Sequence, residues 1–364
     1  MKAVILVGGE GTRLRPLTCN TPKSMVPILN RPFLEHIIDY LKEHNIDDII
    51  LALCYLPHHV QRYFGDGTEF GIKLTYVVED SPLGTAGAVK NVAQRLDETF
   101  FVFNGDIFTD LDLTRMLDFH RERESKVSIA LTPVDDPTIY GLVETNAEER
   151  VERFIEKPRW DAVTTNMINA GTYIIEPEVL SHVPKGLHFT FEQGLFPLLV
   201  ARGDPVYGYP SDAYWIDIGT PERYLKLHHD LLTGRVAKSF PGERAGEGIW
   251  VEEGCDIHSQ AELDGPTLIG RNCVIGSKAQ VKGPCVIGQD CMIGAGSLIK
   301  EAIVWQNTRL GQGVSLRGCV IAENVFIGDR SRVMKGCVLG NNVTVGYDKR
   351  LARGTKVWPE ENPS

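Results

Sequence analysis

The chain has 364 residues, of which 43% are hydrophobic and 24% charged, enough to bury cores in about two domains at roughly 150 residues each. Its net charge of -10, from 38 basic and 48 acidic residues, argues against a nucleic-acid or anionic-membrane surface, and no basic run offsets it. The apolar stretch at 3–7 is far shorter than the ~20 residues of a membrane span, so neither an anchor nor a signal peptide is expected, and eight cysteines without a CxxC pair point to a reducing, cytoplasmic setting.

Residues 1–232 alternate short apolar strands with amphipathic helical stretches, the wording of an α/β domain. The strand at 3–7 runs into Gly8, Gly9 and Gly11. A helix at 32–44, with Phe33, Ile37, Ile38 and Leu41 on one face, precedes a strand at 49–53, and that order predicts a Rossmann-like parallel sheet. Further strands are predicted at 73–78, 100–103, 127–131 and 170–175, with a closing helix at 222–232. Residues 233–248, rich in Gly, Pro and charge, read as a linker.

From 249 to 346 the period becomes six. Val251, Ile257, Leu263, Ile269, Ile275, Val281, Ile287, Ile293, Ile299 and Trp305 recur at every sixth position, and Ile321, Ile327, Val333, Leu339 and Val345 resume the series. This predicts a hexapeptide-repeat parallel β-helix with a distorted turn between Trp305 and Ile321, followed by a tail at 347–364. Glycines after the aliphatic position (Gly270, Gly276, Gly288, Gly294) suit tight corners. Cys255, Cys273, Cys285, Cys291, Cys319 and Cys337 each stand two residues before a repeat aliphatic, as small inward packing residues rather than metal ligands.

Two segments open the chemistry. Residues 6–14, Leu6-Val7-Gly8-Gly9-Glu10-Gly11-Thr12-Arg13-Leu14, form a strand-to-turn passage whose backbone N–H groups suit phosphate oxygens. A plain turn with surface arginines is the alternative reading of this segment alone, and it lacks the ending of a P-loop. Ten residues after Arg13 comes Lys23, within PKSMVPILNRP. GGEGTRLRPLT followed by PKSMVPILNRP resembles the sugar-phosphate nucleotidyltransferases. EDSPLGTAGA (79–88), Asn104-Gly105-Asp106, Glu156-Lys157-Pro158 and Trp215-Ile216-Asp217-Ile218-Gly219 agree in order. With a β-helix appended, the chain looks most like the mannose-1-phosphate guanylyltransferases. The resemblance implies an α/β Rossmann-like nucleotidyltransferase domain followed by a left-handed parallel β-helix, and the open ends and flat faces of such a solenoid predict a homo-oligomer contacting at least partly through residues 249–346.

It also implies roles. Nucleotidyl transfer brings two polyanions together, so positioning and charge neutralisation carry it. Arg13 is expected on the β and γ phosphates and Lys23 on the α-phosphate; Asp106 and Asp217 are expected to hold a hard Mg²⁺ ion. The nucleotide is assigned to Leu6, Gly8, Gly9, Gly11, Thr12, Glu79, Gly84 and Thr85, and the sugar phosphate to Gly141, Glu156, Lys157, Asn169 and Gly171. Thymidylyl and uridylyl relatives commonly have glutamine near Glu79. A carboxylate only accepts, and guanine offers two adjacent donors, so Glu79 favours GTP as the partner of mannose 1-phosphate; backbone carbonyls could serve the same end.

Three alternatives stay open. A glucose-1-phosphate thymidylyl-, uridylyl- or adenylyltransferase differs only in base and sugar contacts. Hexapeptide β-helices also occur in acyltransferases, which need a general-base histidine; His258 alone lies in the repeats, without an insertion loop. A catalytically silent nucleotide-sugar-binding subunit would be expected to lack phosphate or metal groups, yet Arg13, Lys23, Asp106 and Asp217 are all present.

Overall fold

The computed structural model describes residues 1–362, and the chain divides into two compact units. One comprises Met1–Glu10 and Leu34–Asp217; the other comprises Gly11–Phe33 and the chain from Ile218 on. The division does not follow the sequence boundaries at 232 and 249. The segment bearing Arg13 and Lys23 clusters with the repeat unit.

The first unit is built on a mixed sheet in the order Val151–Glu156, Gly141–Thr145, Met167–Ile175, Phe100–Asn104, Lys2–Val7, Asp48–Leu53, Lys73–Val78, with Val127–Pro133 and Val206–Pro210 continuing from Met167–Ile175. Lys2–Val7 is parallel to both its neighbours, Ala3 opposite Ile49 on one side and Phe101 on the other. Its residues Ala3, Val4 and Ile5 are fully buried, as a central parallel strand covered on both faces requires. The order Lys73–Val78, Asp48–Leu53, Lys2–Val7, Phe100–Asn104 reverses between the last two strands, and ligands of open α/β sheets bind outside the carboxyl ends at such a switch point. Gly8-Gly9 and Asn104-Gly105-Asp106 stand at those two ends. The predicted strands appear as Asp48–Leu53, Lys73–Val78, Phe100–Asn104, Val127–Pro133 and Met167–Ile175. Five others were not foreseen: Ile107–Thr109, Gly141–Thr145, Val151–Glu156, Val206–Pro210 and Trp215–Asp217.

In the second unit the repeat folds as a parallel β-helix with three sheets. The first face stacks Ile249–Val251, Thr267–Ile269, Cys285–Ile287, Ile303–Val304, Val320–Ile321, Val338–Leu339 and Lys356–Val357. Aliphatics of the three faces meet in one core with Cys273, Cys285, Cys291, Cys319 and Cys337, all fully buried free thiols. Burial pushes the Cys285 thiol up to about 12, and their Sγ–H groups donate to backbone carbonyls, Cys273 to Gly288 at 3.0 Å and Cys291 to Trp305 at 3.2 Å.

The assignment of Trp305 to the inward series is corrected. Val304 pairs with Ile287 and Ile321 and enters the core, so one residue is missing between Ile299 and Val304. A second is missing between Leu316 and Ile321, with Leu310 and Leu316 filling the intervening inward positions. Two five-residue sides thus produce the gap of 16. The ladder also continues past 346, through Arg350–Leu351 and Lys356–Val357, and Glu243–Gly246 pairs antiparallel with Ile249–Val251 inside the segment read as a linker. Residues 363 and 364 of the expected tail lie outside the described residues. The corner glycines serve close approach rather than left-handed backbone: a Cβ on Gly288 would lie 2.5 Å from Gln306 N. Left-handed backbone falls instead on Asn272, Asp290, Asn307, Asn324 and Asn342, among the residue types that tolerate that region best, on other glycines such as Gly296 and Gly313, and also on Lys278 and Arg330.

Candidate functional site

At the switch point of the first unit, Asn104-Gly105-Asp106 turns against the end of the central strand. Gly105 N donates to Leu6 O at 3.0 Å, and a Cβ there would stand 2.6 Å from that oxygen, so only glycine lets the turn approach. Leu6 therefore contributes a backbone carbonyl to the frame. Gly8 packs against Cys54, while Gly9 faces open space.

Asp106 and Asp217 are brought together by a two-stranded antiparallel ribbon, Ile107–Thr109 with Trp215–Asp217, in which Asp217 lies opposite Ile107. Asp217 is buried and Asp106 half-buried. Neighbouring Asn104 has a buried side-chain oxygen with no hydrogen-bond partner among the described residues, as expected where a ligand or ordered water completes the site. No cluster of three or more His, Cys, Asp or Glu side chains with metal-holding geometry occurs among the described residues. Two carboxylates fit a hard divalent cation that takes its remaining oxygens from phosphate and water, the usual habit of Mg²⁺.

Beside this pair the sheet builds a second group. Glu156 lies opposite Gly141 in the antiparallel pair Val151–Glu156 and Gly141–Thr145. A Cβ on Gly141 would sit 3.0 Å from Glu156 Oε2 and 2.8 Å from Phe154 Cζ, so glycine keeps room for the carboxylate. Lys157 adopts a left-handed backbone, φ 48°, and donates its N–H to Tyr140 O at 2.9 Å; strain of this kind persists where the surroundings dictate it. Its Nζ is exposed, 3.6 Å from Glu156 Oε1. Asn169 Oδ1 accepts from Gly171 N at 3.0 Å, and its Nδ2 donates to Tyr173 Oη at 2.8 Å. Asn169 thereby shapes the register shift between Asn169 and Tyr173. Gly171 has φ +73°, with Asn104 Nδ2 only 2.7 Å from where its Cβ would be.

Glu79 follows the strand Lys73–Val78 and is buried. Burial raises its carboxyl above the ordinary range, opposed by the Leu83 N–H, which donates to Oε2 at 3.0 Å. This bond closes the loop ahead of the helix Gly84–Asn91. Gly84 has φ +73° and faces Phe189 O. The Thr85 hydroxyl is committed to the protein, donating to Glu192 Oε2 at 3.0 Å and accepting from Phe191 N at 2.8 Å. Glu192 was not singled out from the sequence. It lies on a π-helical turn, Phe191–Leu195, a feature frequent at functional sites, and burial, the largest cause, raises its carboxyl. Its relation to Thr85 spans 107 residues, so no local pattern announces it.

In the second unit, Gly11, φ +64°, would set a Cβ 3.1 Å from both Lys23 Cβ and Thr18 Cγ2. Glycine thus seats the Lys23 stem, and the Thr18 hydroxyl donates to Gly11 O at 2.8 Å. Lys23 is 8% exposed, unlike a solvated surface lysine. Thr12 and Arg13 lie on the exposed turn Thr12–Leu14.

Both parts of the chain match known protein families. Residues 2–234 match the family model described as nucleotidyl transferase, and residues 246–351 match that of the EIF2B subunit epsilon LbH domain. A mannose-1-phosphate guanylyltransferase of Mycobacterium tuberculosis is 41% identical over 74% of this chain and 75% of its own. A UTP–glucose-1-phosphate uridylyltransferase of Synechocystis is 33% identical over 87% and 86%. The crystal structure of HddC from Yersinia pseudotuberculosis complexed with GMP-PN covers 62% of this chain and 97% of that one, with 32% identity and a TM-score of 0.55. The chain belongs to the nucleotidyl transferase family, as a nucleotidyltransferase whose α/β domain is joined to a left-handed β-helix.

Proposed function

We propose that the protein transfers guanylyl from GTP to mannose 1-phosphate, releasing pyrophosphate and giving GDP-mannose. The phosphate oxygen of the sugar 1-phosphate attacks the α-phosphorus of GTP in line, a P–O bond forms, and the bond to the β-phosphate oxygen breaks with its electron pair leaving on pyrophosphate. No covalent enzyme intermediate is needed, because the sugar phosphate is a competent nucleophile once desolvated and aligned. Lys23 meets the negative charge that builds at the α-phosphate, and Arg13 steadies the departing pyrophosphate. Gly8, Gly9, Gly11 and Thr12 offer backbone N–H groups to the triphosphate, Lys157 takes the sugar phosphate, and Glu156 accepts from sugar hydroxyls beside Gly141, Asn169 and Gly171. Asp106 and Asp217 would hold Mg²⁺, which supplies neutralisation of phosphate charge when bound.

The observation that carries the guanine assignment is Glu79. A carboxylate that spends one oxygen on Leu83 N–H keeps acceptor capacity for the two adjacent donors of guanine and has no donor for a pyrimidine imide. The guanylyltransferase relative in Mycobacterium tuberculosis supports the same substrates. The uridylyltransferase relative makes UTP with glucose 1-phosphate the competing pair. Pyrophosphate release measured with GTP, UTP, TTP and ATP against mannose and glucose 1-phosphates decides between them. The highest kcat/KM is expected for GTP with mannose 1-phosphate; a maximum at any other pair overturns the assignment.

A further inference from the structure

On the first face of the β-helix, between its end strands Ile249–Val251 and Lys356–Val357, the residue after the inward aliphatic forms a corner column that reads Gly270, Gly288, Trp305, Ala322, Gly340. The missing residue before Val304 is what turns a tryptophan into this column of small residues. Two chain segments are bonded along it. Near Gly270, Asn30 Nδ2 donates to Ile287 O at 3.0 Å, and a Cβ on Gly270 would come within 3.0 Å of that nitrogen. Two coils on, the Trp305 indole N–H donates to Tyr224 Oη at 3.0 Å, and Tyr224 in turn donates to Pro27 O. One helical turn beyond Tyr224, His228 Nε2 accepts from Leu29 N at 3.3 Å.

These bonds converge on one hairpin, Pro27–Ile28 paired with Arg31–Pro32. Its two turn residues, Leu29 and Asn30, are both left-handed, φ 49° and 66°. A buried leucine in that region is costly and is kept only where its surroundings impose it. The hairpin begins four residues after Lys23. Ser24 and Val26 between them are buried, and the intervening turn is closed by Met25 N to Pro22 O at 2.8 Å and Phe33 N to Val26 O at 3.0 Å. A short hydrogen-bonded stretch thus links the hairpin to the Lys23 stem.

We propose that the β-helix positions the transfer chemistry: Trp305, Tyr224 and Asn30 are positioning residues that fix the backbone carrying Lys23 and Arg13. This rests on the roles given to those two residues above. In the full chain, Tyr224→Phe removes both bonds of the relay, Trp305→Phe removes one, and Asn30→Gly removes the amide while keeping a left-handed backbone. Each variant should lower kcat by roughly tenfold or more with nucleotide KM held within about threefold. Each should also lose hydrogen-exchange protection at Met25 and Phe33 with none lost in Phe100–Asn104. An unchanged kcat, or a rise confined to KM, overturns the proposal. Should wild type turn over no pair of nucleotide and sugar phosphate, the functional assignment falls, and exchange alone decides: wild-type protection at Met25 and Phe33 overturns the positioning, and its selective loss supports it. Should Tyr224→Phe fail to fold, Trp305→Phe and Asn30→Gly give the same readouts.

Discussion

Acidification should destabilise the hairpin anchor through His228. This histidine is buried in the helix Pro221–Leu232. Leu29 N–H can only donate, so Nε2 accepts from it, and the ring proton stands on Nδ1, which donates to Tyr224 O at 3.0 Å. Burial pushes the imidazole from 6.5 down to about 4, against the opposing pull of backbone partners Tyr224 and Pro27. Above about pH 7 both folded and unfolded chains hold it neutral, and nothing is lost. As pH falls from 6.5 toward 4, the unfolded chain takes up a proton that the folded one refuses, so stability falls by about 1.4 kcal/mol per pH unit, to about 3 kcal/mol in all. His228→Gln keeps an acceptor for Leu29 and a donor for Tyr224 but does not titrate. Other perturbed groups, the raised Glu79 and Glu192 and the lowered His120, titrate in both proteins and cancel in the difference. Urea unfolding of both proteins at intervals between about pH 7 and about pH 5 should show wild type losing about 2 kcal/mol relative to the variant. Parallel curves would refute the buried neutral imidazole.

Lys23→Ala should lower kcat by at least about a hundredfold, since it removes a charge meeting the reacting phosphate, with the melting temperature nearly kept; near wild-type turnover would remove Lys23 from the site. Gly141→Ala forces a methyl to within 3.0 Å of Glu156 Oε2 and should lower kcat/KM for the sugar phosphate roughly ten- to a hundredfold while nucleotide binding by calorimetry is unchanged. Glu79→Gln should move preference from GTP toward UTP or TTP, and a ratio unchanged within about threefold would pass base reading to backbone groups. The β-helix carries exposed Val274, Met292, Tyr347 and Trp358; light scattering should find a homo-oligomer, and a monomer would contradict an assembly role for the repeats.

The parallel strands were legible because buried strands are written as continuous apolar runs, as at 49–53 and 100–103. The strands that escaped notice lack that signal. Gly141–Thr145 and Val151–Glu156 mix apolar with charged residues and pair chiefly with each other as a hairpin, while Val206–Pro210 reads Val-Tyr-Gly-Tyr-Pro and is held by pairing with the distant strand Val127–Pro133. The same limit governs the site. Asp106 and Asp217 could be named from flanking motifs, but the ribbon that joins them is a pairing of segments about a hundred residues apart. Thr85, placed on the nucleotide from its loop, has its hydroxyl bonded to Phe191 and Glu192.

Trp305 shows how a strong period can mislead at one place. Six residues after Ile299 stands a large apolar side chain, so the series reads as unbroken, although one residue has been lost and Val304 has taken the inward place. Periodicity reports which residue types are compatible with the core, whereas register is fixed by backbone pairing with the neighbouring coils, where Val304 lies between Ile287 and Ile321. A tryptophan following the inward residue has no place in that core. Its indole N–H needs a partner once buried, and it finds the Tyr224 hydroxyl. The break in the repeat thus supplies one of the ties between the β-helix and the hairpin following Lys23, beside the bond from Asn30 to Ile287 O, and a reading of the period alone would treat it as an imperfection.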